Sequence, residues 1–314
     1  MTPRIAGAVV AIFLLATVLK LAGPSSVWLL LRSTDGRLLA AAVAVSAAFL
    51  AMRGLRLRLL LASGGLGWTT AIMVAAAAQA AALFAPARLG ELALPWLLTR
   101  TTGRSFSSNV GTLLAARFLD LATLGVWCGA AILAVRGLTE PVVLVLALLL
   151  LAPTLLLPVT LRTIDRLATR WVAIRGMNGR RWARRLRRVR REIESLRDRP
   201  ARLWGAFITS FIMWGLQWSV AWLLLKAMGY AWPIMNVAAG ASAAAVANLL
   251  PFNLVGNLGT LEAGWTAAFV ALGVPVNVAA ASGLAAHLWG LVFAAFFGVV
   301  GWAALSMRGP RLNA

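Results

Sequence analysis

The sequence is poor in the residues on which soluble chemistry depends. One cysteine, Cys128, stands in 314 residues, so no disulfide can form within the chain. One histidine, His287, excludes any metal site built on two imidazoles. Acidic residues number nine and are scattered. That is too thin a supply for the carboxylate clusters that hold metal ions in glycosyl and phosphoryl transferases. Charged residues of both signs make up 12%, where a soluble domain carries about 25%. The sequence also lacks the glycine-rich phosphate loop of nucleotide hydrolases. A soluble enzyme, a disordered chain and a disulfide scaffold are thereby set aside, and neither metal nor cofactor is expected.

What remains is apolar. Hydrophobic residues make up 61% of the chain and its mean hydropathy is +0.85. Apolar segments run over about 5–23, 38–52, 67–85, 107–134, 141–161, 203–228, 233–250, 256–273 and 279–306. Several reach the length of about 20 residues that a membrane helix needs. The fold class expected is therefore an all-α polytopic integral membrane protein, one transmembrane domain over 1–314. Arg4 followed by Ile5 to Leu19 has the order of a signal peptide. Lys20, however, occupies the place of a cleavage site, so the stretch reads as the first membrane helix. Small residues at Ala75 to Ala78 and Ala238 to Ala247 prepare faces for close helix approach, and leave room for a homodimer. Trp28, Trp68, Trp96, Trp204, Trp232 and Trp302 lie near segment ends, where an amphipathic ring suits the interface.

Two stretches break the apolar pattern at membrane depth: Pro86-Ala-Arg88-Leu-Gly90-Glu91, and Pro251-Phe-Asn253-Leu-Val-Gly256-Asn257-Leu-Gly259-Thr260-Leu-Glu262. Each opens with proline, which ends a helix. Each contains glycine, which turns the chain tightly, and each closes on a glutamate that begins another apolar run. Pro86, Gly90, Pro251, Gly256 and Gly259 are the expected turn residues. Irregular backbone at this depth is tolerated where it is buried in protein or lines a cavity. Broken segments at corresponding places of two halves mark the central site of a transporter.

Charge distribution chooses between two layouts. Eight full spans would divide the basic residues less sharply. Six full spans with re-entrant helical hairpins at about 67–100 and 233–275, an inverted-repeat arrangement, place 23 basic residues inside. These are Arg4, Arg53, Arg56, Arg58, Arg100, Arg104, the 15 between Arg162 and Arg202, Arg308 and Arg311. The outside then holds five: Lys20, Arg32, Arg37, Arg136 and Lys226. The second layout fits the positive-inside rule better and puts both termini in the cytoplasm.

The basic stretch 162–202 reads as a cytoplasmic loop. Within it Trp182, Leu186, Val189, Ile193 and Leu196 share one helical face, which predicts an amphipathic helix at about 180–198. Such a helix can lie on an anionic inner leaflet, stand in solvent, or dock a cytoplasmic lipid-synthesis enzyme. Nucleic acid is the weaker reading of the +21 net charge, since no recognition motif accompanies it.

Ionisable residues inside a membrane are functional candidates by default. Here they are Arg88, Glu91, Arg117, Asp120 and Glu262. Arg117 and Asp120 are three residues apart on one helix, close enough to pair. Arg117 has donors to spare for a phosphate. Arg88 is placed to meet an anionic head group. Glu91 is either a helix cap or a charge-setting, proton-carrying group. Asn253, Asn257 and Thr260 offer neutral polar contacts, and Glu262 is a cap or a second acidic contact. His287 reads as a packing residue more readily than as a functional one. Cys128 reads as core filler, and Gln79 and Gln217 as interhelical hydrogen bonders.

The order and spacing of Pro86-x-Arg88-x-Gly90-Glu91, Arg117-x-x-Asp120 and the Pro251 to Glu262 segment resemble the lysylphosphatidylglycerol synthase transmembrane region, the flippase portion of the multiple peptide resistance factor. The resemblance covers about residues 1–306. Ala116 stands where relatives often carry Glu, Asn253 and Asn257 interrupt a Pro-Gly-Gly-like segment, and His287 lies near a common Arg. The resemblance implies a lipid-handling domain with inverted helical hairpins. It also implies a single-domain member without the soluble synthase domain, for which 162–202 is too short. The leading function expected is a flippase for an anionic or aminoacylated phospholipid. The alternative is a membrane enzyme or accessory protein for a polyprenyl- or hopanoid-linked substrate. The excess of Arg over Lys suggests a GC-rich bacterial genome, and the bacterial cytoplasmic (inner) membrane is the expected location.

Overall fold

The computed structural model describes residues 3–61, 65–136, 140–196, 198–247 and 257–307; for 3–11, 86–88, 136, 140–155, 158 and 175–178 it describes backbone alone. Every regular element among the described residues is helical. The elements are α1 (Pro3–Ala22), α2 (Pro24–Arg32), α3 (Gly36–Leu60), α4 (Trp68–Phe84), a 3-10 turn (Pro86–Leu92), α5 (Ala93–Thr102), α6 (Phe106–Arg136), α7 (Glu140–Ser195), α8 (Pro200–Ala227), α9 (Ile234–Ala247), α10 (Thr260–Ala271) and α11 (Val276–Ser306). Of these, α3, α6, α8 and α11 are each long and apolar enough to cross a membrane. A fifth span results if α1 and α2, bent by 72° at their junction, count as one. The bend follows from Gly23, at φ 71°, and from Pro24, which has no N–H to continue the helix. At 17 and 14 residues, α4 and α9 sit at or below the short end of membrane-spanning length.

Between α3 and α11 the same succession of elements occurs twice. A long helix (α3, α8) leads to a short apolar one (α4, α9). A break and another short helix follow (α5, α10), then a 31-residue helix (α6, α11). The pairs α4 with α5 and α9 with α10 each pack together. Across the middle, α3 and α8 run antiparallel along their lengths. Leu59 meets Gly205 at one end, and at the other the Asp35 amide donates to the Ala227 carbonyl at 2.9 Å.

The small-residue faces act as expected. Ala71, Val74, Ala75, Ala77 and Ala78 of α4 are buried, and α11 crosses this helix through Gly298 and Gly301. A Cβ at Gly298 would collide with the Ala80 methyl, and one at Gly301 would come 2.8 Å from the Met73 carbonyl. Gly298→Val should therefore cost about 2 kcal/mol by overpacking. Gly290→Val, into open space, should cost far less. Thermal unfolding of the two variants in one detergent checks this; equal losses would contradict the packing.

Two expectations are corrected. The apolar segment set at 38–52 does not end at Met52. Leu55, Leu57, Leu59 and Leu60 continue it, and α3 carries Arg53, Arg56 and Arg58 along. Arg56 is buried in the bundle, not solvated on a cytoplasmic face. The other correction concerns 162–202. A straight helix of 56 residues would be about 84 Å long. Yet the Trp171 and Trp182 rings lie 6.1 Å apart, and Arg190 pairs with Asp165. Helix α7 thus doubles back into two arms. The amphipathic stripe predicted at 180–198 exists, but Leu186, Val189 and Ile193 pack on Leu157, Leu161 and Ile164 of the first arm and on Val110 and Leu114 of α6. Leu196 joins Leu60, Ala115, Leu119 and Ala206. The stripe is used within the protein because apolar neighbours of the same chain remove it from water. Trp182 alone of the five is exposed.

Candidate functional site

Helices α3 and α6 and the 3-10 turn bring ionisable groups to one place, where α4 and α8 add the neutral polar groups of Gln79 and Ser210. The turn presses against the end of α4 so closely that a Cβ at Gly90 would collide with the Ala81 carbonyl. Only glycine allows that approach, and it fixes the neighbouring Glu91. Glu91 stands one residue before the N-cap of α5. Its carboxylate takes both arms of the Arg117 fork, Oε1 from Nη2 at 3.0 Å and Oε2 from Nε at 3.2 Å. Arg117 Nη1 also lies 3.6 Å from Asp120 Oδ2. Asp120 Oδ1 accepts from Nη1 of Arg56, which in turn donates to Ser210 Oγ of α8 at 3.1 Å. One helical turn before Arg56, Arg53 donates to the Gln79 carbonyl oxygen of α4.

Among the described residues, therefore, three guanidinium groups stand by two carboxylates: Arg56 and Arg117 pair with them, and Arg53 bonds the Gln79 amide. Arg56 is 2% exposed and its Nε, also buried, has no acceptor among the described residues. Arg117 is 41% exposed. The arrangement is a cationic surplus among the described residues whose exposed member, Arg117, is engaged by Glu91; a phosphate or carboxylate arriving there would take Glu91's place on the same two-point grip.

The second broken segment carries a related contact. Asn257 takes a left-handed backbone (φ 56°), Gly259 lies at φ 97°, and α10 starts at Thr260. Asparagine and glycine are residues that tolerate such angles. Glu262 is fully buried. Its Oε2 accepts from the Gly259 amide at 2.7 Å, closing the first turn of α10, while Oε1 meets His287 Nδ1 of α11 at 2.5 Å. Glu262 is thus both a cap and a partner to a cation-forming group.

The sequence candidates fall into three sets. Glu91, Arg117 and Asp120 stand together in the first cluster, and Thr260 and Glu262 in the second. Pro86 and Arg88 open the 3-10 turn; their side chains, and all of Pro251, Asn253 and Gly256, lie outside the described residues. Arg53, Arg56 and Ser210 were missed, and His287 was read as packing. The available signal was the run of leucines past Met52, which keeps Arg53 and Arg56 on an apolar helix.

The sequence profile described as "Lysylphosphatidylglycerol synthase TM region" matches residues 4–298. The chain belongs to the lysylphosphatidylglycerol synthase TM region family. No curated protein sequence matches it. Membership of this family, with four to five apolar spans, makes it a multi-pass membrane protein of lysylphosphatidylglycerol-related lipid handling. Both broken segments, the cationic cluster and the Glu262–His287 contact fall inside the matched span.

Proposed function

We propose that this protein is a lipid flippase that moves an anionic-headed phospholipid between leaflets, with the head group passing the Arg53–Arg56–Arg117 cluster and the tails remaining in the bilayer. One observation carries the reading. Among the described residues three arginines face two acids on apolar helices, Arg53 and Arg56 in the last two turns of α3 and Arg117 in the body of α6, where an uncompensated charge is costly. A structural ion pair would be neutral, whereas a surplus cation in a membrane calls for an anion that comes and goes.

The succession of elements supports two inverted halves, with α4–α5 and α9–α10 as hairpins entering from opposite faces. Antiparallel α3 and α8 agree with this, since inversion sends corresponding helices in opposite directions. Each half would rock about a site near the midplane.

The test is leaflet exchange in proteoliposomes across labelled anionic, zwitterionic and aminoacylated phospholipids, with Arg53→Gln beside the parent. Among the described residues Arg53 donates to an uncharged amide, that of Gln79, so its charge is the surplus. The parent should exchange anionic lipid fastest, and Arg53→Gln should slow that exchange about tenfold or more, the worth of one charge-assisted hydrogen bond. Equal rates for all head groups in both proteins would sink the reading.

A further inference from the structure

The two glutamates after the breaks occupy matching positions. Glu91 meets Arg117 across 26 residues, and Glu262 meets His287 across 25. Arg117 stands eleven residues into the 31-residue α6, and His287 stands eleven into the 31-residue α11. Each half thus joins the glutamate that follows its break to a nitrogen base at the same height of its last helix. The two contacts differ in one chemical respect. Arginine keeps its charge at every accessible pH, whereas histidine gains and loses a proton.

Resting on the flippase reading, we infer that Glu262–His287 is the binding site of a coupling proton, so that movement of the anionic lipid is driven by proton flow. Four observations bear on this. Both partners are removed from solvent, at 0% and 7% exposure, so a proton held there is not freely exchanged with bulk water. Both partners are titratable, so the pair holds one proton when neutral overall and becomes cationic on taking a second. Among the described residues, the elements that pack around it carry charge at or near their ends only. Helices α4 and α9 contain no ionisable residue; α1 carries Arg4 and Lys20 at its two ends; α2 carries Arg32, and α8 carries Arg202 and Lys226, with Lys20, Arg32, Arg202 and Lys226 all exposed. Glu262 and His287 are themselves the sole ionisable residues of α10 and α11.

The step balances simply. One proton binds the pair from one side of the membrane, giving it a single positive charge while the anionic head group occupies the arginine cluster. The same proton leaves to the other side as the head group does. Proton and anion cross together, so no net charge crosses a low-dielectric interior for a singly charged lipid. The fixed cations bind the anion and the titratable pair carries its counter-charge.

The experiment uses the full chain in proteoliposomes with a pH-sensitive dye inside and labelled anionic phospholipid in one leaflet. Exchange in the parent protein should accelerate severalfold when an inward proton gradient is imposed along the direction of lipid movement. A lipid gradient alone should move protons. In His287→Arg, which fixes a cation at this site, exchange should lose its response to the proton gradient, and the lipid-driven proton signal should vanish. Steady lipid exchange in the parent with no proton response would overturn the coupling and leave the flippase reading intact. Absence of lipid exchange altogether would overturn both. The parent measurement needs no variant, so misfolding of His287→Arg cannot rescue the idea.

Discussion

Asp120→Ala is expected to destabilise the protein by about 3–5 kcal/mol, the cost of leaving one member of a buried ion pair unpaired. Asp120 is the acceptor for Arg56, which is 2% exposed and already has one nitrogen without an acceptor among the described residues. Removing the carboxylate leaves that guanidinium with Ser210 alone, beside the charges of Arg53 and Arg117. Replacing both members, Arg56→Met with Asp120→Leu, should restore most of the loss, because two apolar side chains of similar volume satisfy a low-dielectric site as well as an ion pair does. Restored stability should not restore lipid exchange, since the double variant has lost part of the cationic cluster. Denaturant unfolding in detergent, run on Arg56→Met, Asp120→Leu and the double, gives the coupling directly. A single Asp120→Ala variant as stable as the parent would show that Arg56 is not held by this pair.

Arg117→Ala is expected to behave in the opposite way. At 41% exposure its salt bridges to Glu91 and Asp120 are partly screened, so the stability cost should be about 1 kcal/mol or less. Exchange of anionic lipid, by contrast, should fall by about 100-fold or more, the order of loss when an enzyme is deprived of one donor to a developing anion. Arg117→Lys should be intermediate, because an ammonium keeps the charge and loses the two-point grip. Melting temperature and exchange rate measured on the same preparations separate the two effects. A variant that unfolds and also loses exchange would place Arg117 in the structure and not in the transport path.

The break at Pro86 to Glu91 and the start of α10 before Glu262 were legible because glycine and a glutamate interrupt apolar runs at both places, and local chemistry of that kind needs no tertiary knowledge. The pairing of Arg117 with Asp120 was legible for the same reason, three residues on one helix. What reached across the bundle was not. Nothing local tells Glu91 that its partner lies 26 residues on, or tells Glu262 that a histidine waits 25 residues later. Arg53 and Arg56 were misplaced because a cluster of arginines after an apolar run reads as a cytoplasmic end. The leucines between them keep the helix going, and Asp120 and Gln79 compensate them from other elements. The α7 stripe shows the same limit: periodicity finds the apolar face, but only the fold says what covers it.

The most direct measurement is the initial rate of leaflet exchange of a labelled anionic phospholipid in proteoliposomes, for the parent and for Arg117→Ala, each against protein-free vesicles. The expected result is exchange well above the protein-free rate in the parent, and close to that rate in a variant whose melting temperature is nearly unchanged. Exchange at the same rate in both proteins, or in neither while both are folded, would contradict the assignment of the arginine cluster as the path of the head group.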